Sequence, residues 1–78
     1  MTYLATFYTH AAALMSHRNL INSGIEAVMM PVPRAVSSSC GTCVRYTADD
    51  PLLSLLDQDR EAVYEVTDSG YLELIRYE

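Results

Sequence analysis

The sequence predicts an α+β fold, an antiparallel sheet with its helices packed on one face. Three observations predict it. A β-rich opening, Tyr3 to Tyr8, runs directly into an alanine- and leucine-rich stretch, "THAAALMSHRNLINSG". Two short apolar or alternating runs then flank a polar, serine-rich loop, and the chain closes on "AVYEVT" and "YLELIRY" around "DSG", the pattern of a hairpin.

Taken in order, Tyr3 to Tyr8 is the first strand and the segment after it the first helix. Thr9 is its N-cap and Gly24 its C-terminal stop. Ala11, Leu14, Met15 and Ile21 share one face of that helix and form the stripe expected to pack on the sheet. "IEAVMMPV" is a second strand, buried or nearly so, ended by Pro31 and Pro33. Met15, Met29 and Met30 are expected in the core. "PRAVSSS" has loop composition, and in "CVRYTA" Val44 and Tyr46 alternate with Arg45 and Thr47 as in a third strand.

"DDPLLSLLDQDR" predicts a short second helix, because proline suits a first helical turn and Leu52, Leu55 and Leu56 fall on one side. Asp49 and Asp50 would complement its dipole, and the acids from Asp57 to Glu61 would form its solvated end. The last two segments are strands, with Gly70 free to take the positive φ of a tight turn. The order is β-α-β-β-α-β plus a terminal strand. Two β-α-β halves in so short a chain predict a ferredoxin-like split β-α-β sandwich spanning residues 1–78 as one domain. The sheet face opposite the helices then has no cover, so pairing of two copies into a homodimer is expected.

Half of the 78 residues are hydrophobic and 19% charged, ordinary for a folded domain. The net charge is −5, and the five arginines (Arg18, Arg34, Arg45, Arg60 and Arg76) are scattered. Nucleic acid is therefore not an expected partner, because phosphate neutralisation supplies most of that affinity. "MTYLATFYTH" lacks the basic opening and long apolar core of a secretory signal, and no run nears the roughly 18 apolar residues of a membrane span. A cytoplasmic location without membrane attachment is expected. There thiols stay reduced, and a cysteine pair serves chemistry more often than structure.

That pair is Cys40 and Cys43, in "SSSCGTCVRYT". A thioredoxin-like role is disfavoured because the motif stands before a strand, without a helix terminus to lower the thiol pKa. A zinc site needs about four ligands, and besides the cysteines the chain offers only His10 and His17. Two copies could pool four thiolates, but one chain contains no second half-site, so no metal is assigned. A carrier thiol asks for less: an accessible cysteine on a loop, with donors or a cation nearby. Cys40 meets this, following Ser37, Ser38 and Ser39, preceding Gly41, and with Arg34 upstream. Gly41 permits a turn that exposes the sulfur. Cys43 begins the strand, pointing into the core or reaching Cys40 as a resolving thiol.

"THAAALMS" after a short strand, "GIEAVMMPVPRAVSSSCGTCVRY" in the middle and the acidic approach to a second helix resemble the small bacterial selenium/sulfur carrier-like family. The family's Pro-x-Pro-Arg segment, small polar residues and Cys-Gly map onto Pro31, Pro33, Arg34, Ser39, Cys40 and Gly41. The resemblance covers residues 3 to 66 and leaves the terminal "SGYLELIRYE" beyond the usual family end. Where members often carry an acidic residue in the first helix, this chain has Ser16.

The resemblance implies a persulfide or selenosulfide held on Cys40 and passed to a partner enzyme. Donor and acceptor proteins are then the partners, Cys43 is a candidate resolving thiol, and no cofactor is called for. Arg34 would stabilise the anion, with Ser38, Ser39 and Gly41 donating hydrogen bonds. Such a chain is a carrier or binding protein more than a stand-alone enzyme. The rival from another class is a non-catalytic dimerising or small-ligand-binding module, which predicts an unreactive Cys40.

Overall fold

The computed structural model describes residues 1–77. Five strands, β1 (Thr2–Phe7), β2 (Glu26–Pro31), β3 (Thr42–Thr47), β4 (Arg60–Thr67) and β5 (Gly70–Arg76), and one helix, α1 (His10–Asn22), follow in the order β1-α1-β2-β3-β4-β5. The strands form one antiparallel sheet with spatial order β2-β3-β1-β4-β5. β1 is central, with Ala5 opposite Val44 on one side and Val63 on the other. Because β1 and β2 both run antiparallel to β3, α1 connects two parallel strands with β3 inserted between them. The α+β class and the appended terminal strand stand as expected.

The second helix does not. Between β3 and β4 only a 3-10 turn, Leu53–Leu55, is formed, so the fold is not a full β-α-β-β-α-β sandwich. The physical reason is competition for the backbone groups a helix would use. Leu52 is left-handed (φ 52°), which interrupts the helical backbone directly after Pro51 even though its N–H bonds the Asp50 side chain at 2.8 Å, as an N-cap would accept it. The Asp57 N–H donates to Ser16 Oγ at 2.8 Å, and the Leu55 carbonyl accepts from Asn19 at 3.1 Å. Ser16 and Asn19 of α1 thus tie down the crossover. Its leucines still do the work expected of them: Leu56 is buried, and Leu52, Leu53 and Leu55 pack against the core between α1 and the sheet.

Helix α1 has the predicted ends. Thr9 Oγ1 accepts from the Ala12 N–H at 3.1 Å, and Gly24 (φ +80°) ends the helix, its N–H bonding the Ile21 carbonyl. The packed face is a different one from that predicted. Ala12, Ala13, Ser16 and Leu20 are buried, whereas Leu14, Met15 and Ile21 are 41, 43 and 47% exposed and Ala11 is also exposed. Small side chains let the helix lie close on β1 and β3; a stripe chosen by side-chain size lands on the solvent side.

β2 is likewise not a buried strand. It forms one edge of the sheet and is only half-buried, with Met29 and Met30 packed against the core and Val28 exposed. Pro31 suits that edge, where a missing N–H costs no ladder bond. The helix-free face is in part covered by the chain's own loop. Val36 packs there in a cluster with Leu4, Cys43, Ala62 and Tyr64. β5 keeps exposed Leu72, Leu74 and Ile75 at the opposite edge. Among the described residues no helix is long and apolar enough to cross a membrane.

Candidate functional site

The cysteine motif lies where three segments meet. β2 and β3 are joined by a loop over 32–41, closed at its base by a hydrogen bond from the Val32 N–H to the Gly41 carbonyl at 3.1 Å. Because β1 and β3 are antiparallel, with Thr6 opposite Cys43, the end of β1 and the start of β3 share one end of the sheet. The first turn of α1, which follows β1, therefore comes to the motif. His10 Nδ1 lies 3.2 Å from Oγ1 of Thr42, the residue between Gly41 and Cys43. A cysteine pair that stands before a strand in sequence is thus beside a helix start in space.

The two cysteines are free and differently placed. Cys40 is half-buried on the loop, and its N–H donates to Ser38 Oγ at 3.3 Å. Cys43 is fully buried in the helix-free face, its thiol near the Met30 and Pro31 carbonyls at 3.5 and 3.7 Å. Burial first, and then the charge of Cys40, push the Cys43 thiol up to about 11. At neutral pH Cys43 is a protonated thiol and a weak nucleophile.

The serines on the approach to Cys40 hold the loop. Ser38 Oγ lies 3.5 Å from the Phe7 carbonyl at the end of β1. Ser39 donates from its N–H to both carboxylate oxygens of Glu61, at 3.2 and 3.3 Å, and from its hydroxyl to Oε2 at 2.7 Å. Of the other predicted residues, Gly41 closes the loop base, and Arg34 is exposed on a turn whose Val36 N–H bonds the Pro33 carbonyl. Arg34 has no hydrogen bond or ion pair among the described residues, so the structure does not bring it onto Cys40 as a contact.

Glu61 is the residue that sequence reasoning missed. Expected at a solvated helix end, it is only 6% exposed. The β1–β4 register slips where Thr6 faces Ala62 and Phe7 faces Arg60, leaving Glu61 as the extra residue of a bulge, a device that re-aims a side chain. Burial alone would raise its carboxyl, but the hydrogen bonds from Ser39 and Ser38 and the charge of Arg76 outweigh that and hold it below the usual range. The only signal in the sequence was its position directly before the apolar run Ala62 to Tyr64. Among the described residues no group of three His, Cys, Asp or Glu side chains is placed to hold a metal; His17 instead meets the Ala27 carbonyl at 3.2 Å.

Residues 2–65 match the model of the family described as "Putative Se/S carrier protein-like". The chain belongs to this family. The matched span runs from β1 into β4 and contains the whole cysteine loop and Glu61, while β5 lies beyond it. Among curated proteins and solved structures the chain has no match.

Proposed function

We propose that this family member is a carrier that accepts sulfur or selenium on Cys40 and hands it to an acceptor protein. The observation that carries the reading is the contrast between the cysteines: Cys40 stands half-exposed on an anchored loop, whereas Cys43 is buried and held protonated. In the loading step the Cys40 thiolate attacks the terminal sulfur of a donor persulfide. The donor S–S bond breaks, its inner sulfur leaves as a thiolate with the bonding pair, and Cys40 carries the new persulfide. Unloading repeats the exchange with an acceptor nucleophile, so no outside oxidant is needed. Selenium follows the same exchange as a selenosulfide.

Cys43 is the resolving thiol of this scheme, and a slow one. Its attack on the inner sulfur of a loaded Cys40 would form the Cys40–Cys43 disulfide and expel hydrosulfide. The high pKa and burial of Cys43 delay that step and prolong the loaded state. Ser38, Ser39 and Gly41 shape the loop, and Arg34, exposed on the same loop, offers a cation to the anion on the terminal atom.

The test is intact-mass measurement of wild type, Cys40→Ser and Cys43→Ser after incubation with a cysteine desulfurase and cysteine, before and after reductant. A reducible gain of one sulfur in wild type and Cys43→Ser, absent from Cys40→Ser, is the expected result. No gain in any variant would sink the carrier reading and leave the binding module.

A further inference from the structure

A carboxylate taken out of water is costly unless its oxygens find donors. Glu61 is buried, and the donors it finds come from Ser39, the residue immediately before Cys40. These bonds are separate from the main chain of Glu61, whose carbonyl accepts from the Tyr77 N–H at 2.8 Å just beyond the end of β5. Two apolar side chains could fill the same space without the desolvation cost. What a carboxylate adds is direction, because it fixes both the amide and the hydroxyl of a single loop residue.

Support for the carboxylate comes from β5. Arg76 bonds the Tyr64 hydroxyl at 2.8 Å and Glu73 at 2.9 Å, and its charge acts on Glu61 from the strand that lies beyond the family match.

We propose that Glu61 is the positioning residue of the Cys40 loop: seated beneath Ser39 and bonded to its amide and hydroxyl, its carboxylate fixes the main chain from which Cys40 is presented to donor and acceptor. The inference rests on the reading of Cys40 as the working thiol, and extends it by naming what orients that thiol.

The experiment compares wild type, Glu61→Ala, Glu61→Asp and Ser39→Ala in three readouts: amide hydrogen exchange, Cys40 alkylation by iodoacetamide, and sulfur loading by a desulfurase. Loss of hydrogen bonds to a charged group should speed exchange of the Ser39 and Cys40 amides about 10- to 100-fold in Glu61→Ala, with β1 and β3 amides still protected. Alkylation by the small reagent should rise several-fold as the loop loosens, while loading by the protein donor, which needs one orientation, falls about tenfold. Glu61→Asp should recover part of each. Ser39→Ala, which cannot empty a core position, should show the same opposed shifts in weaker form and decides the matter if Glu61→Ala does not fold.

Unchanged exchange and alkylation in folded Glu61→Ala, or alkylation and loading moving in the same direction, would overturn the proposal. If wild type takes no sulfur the carrier reading fails, while exchange and alkylation still decide the role of Glu61.

Discussion

At Cys43 the sulfur is enclosed by Leu4, Val36, Ala62 and Tyr64, and its pKa is pushed up to about 11. At pH 8 a thiol with that value is thiolate in only about one molecule in a thousand, before access is considered. Native protein treated with iodoacetamide at pH 8 should therefore gain one adduct, mapped by peptide mass to Cys40, and a second only after denaturation. Two adducts on the native chain would contradict this environment.

Glu61 gives a prediction of opposite sign in pH. Its folded pKa is depressed, so its hydrogen bonds stabilise the native chain above the unfolded carboxylate pKa of about 4.3 and are lost as pH falls through the lower folded value. The groups that act on it are the two serines of the loop and the charge of Arg76, which itself bonds Tyr64 on β4 and Glu73 on β5. Glu61→Gln should be less stable than wild type at pH 7, by about 1–3 kcal/mol, and should lose less stability on acidification. Urea midpoints at pH 7 and below about pH 4 measure both. The sequence marked Cys40 as a candidate on a loop, because a cysteine between serines and a glycine is a local pattern. It hid Glu61, because a bulge created by pairing β4 with a distant strand decides where that side chain points.

Helix α1 shows how far periodicity reads. Its limits follow from Thr9 and Gly24, both local signals, and replacing Thr9 by Ala should cost about 1 kcal/mol. Its buried face depended on what it packs against, and there the small residues Ala12, Ala13 and Ser16 were chosen over Leu14 and Met15. Leu20→Ala should accordingly cost about 2–5 kcal/mol, whereas Leu14→Ala should stay within about 0.5 kcal/mol. Thermal or urea unfolding of the pair decides between the two faces. The crossover helix failed for a related reason: Ser16 and Asn19 take the Asp57 N–H and the Leu55 carbonyl away from it, and no window around Pro51 contains them. Ser16→Ala should leave the Asp57 amide without that partner and cost about 1–2 kcal/mol.

Across the whole molecule, the α+β class and the succession of the five strands were legible because each strand carried its own composition, and the terminal hairpin was marked by Gly70, whereas the second helix was not formed. Which strand borders which was not written locally. β5 joins the site through that ordering, since it brings Arg76 opposite Ala62 and the Tyr77 N–H onto the Glu61 carbonyl. Removing residues 70–78 should lower the unfolding temperature and release the Ser39 amide, measured by circular dichroism and hydrogen exchange. A loss of stability with Ser39 still protected would confine β5 to the sheet edge.

The central place of β1 also sets a timetable. Leu4 waits for Arg45 on one side and for Tyr64 on the other, so the strand made first is completed last. While the chain emerges from the ribosome, β1, α1, β2 and β3 can gather, but one edge of β1 stays open until β4 follows. Contacts so distant in sequence fold slowly, because a long loop must close before any of them forms. The loop that carries Cys40 is tied to β1 by Ser38 and Val36, but its anchor on Glu61 forms only at that late moment, when β4 arrives. The Cys40 loop thus gains its last anchor in the same event that closes the sheet, and a chain that stops before β4 lacks the carboxylate on which Ser39 rests.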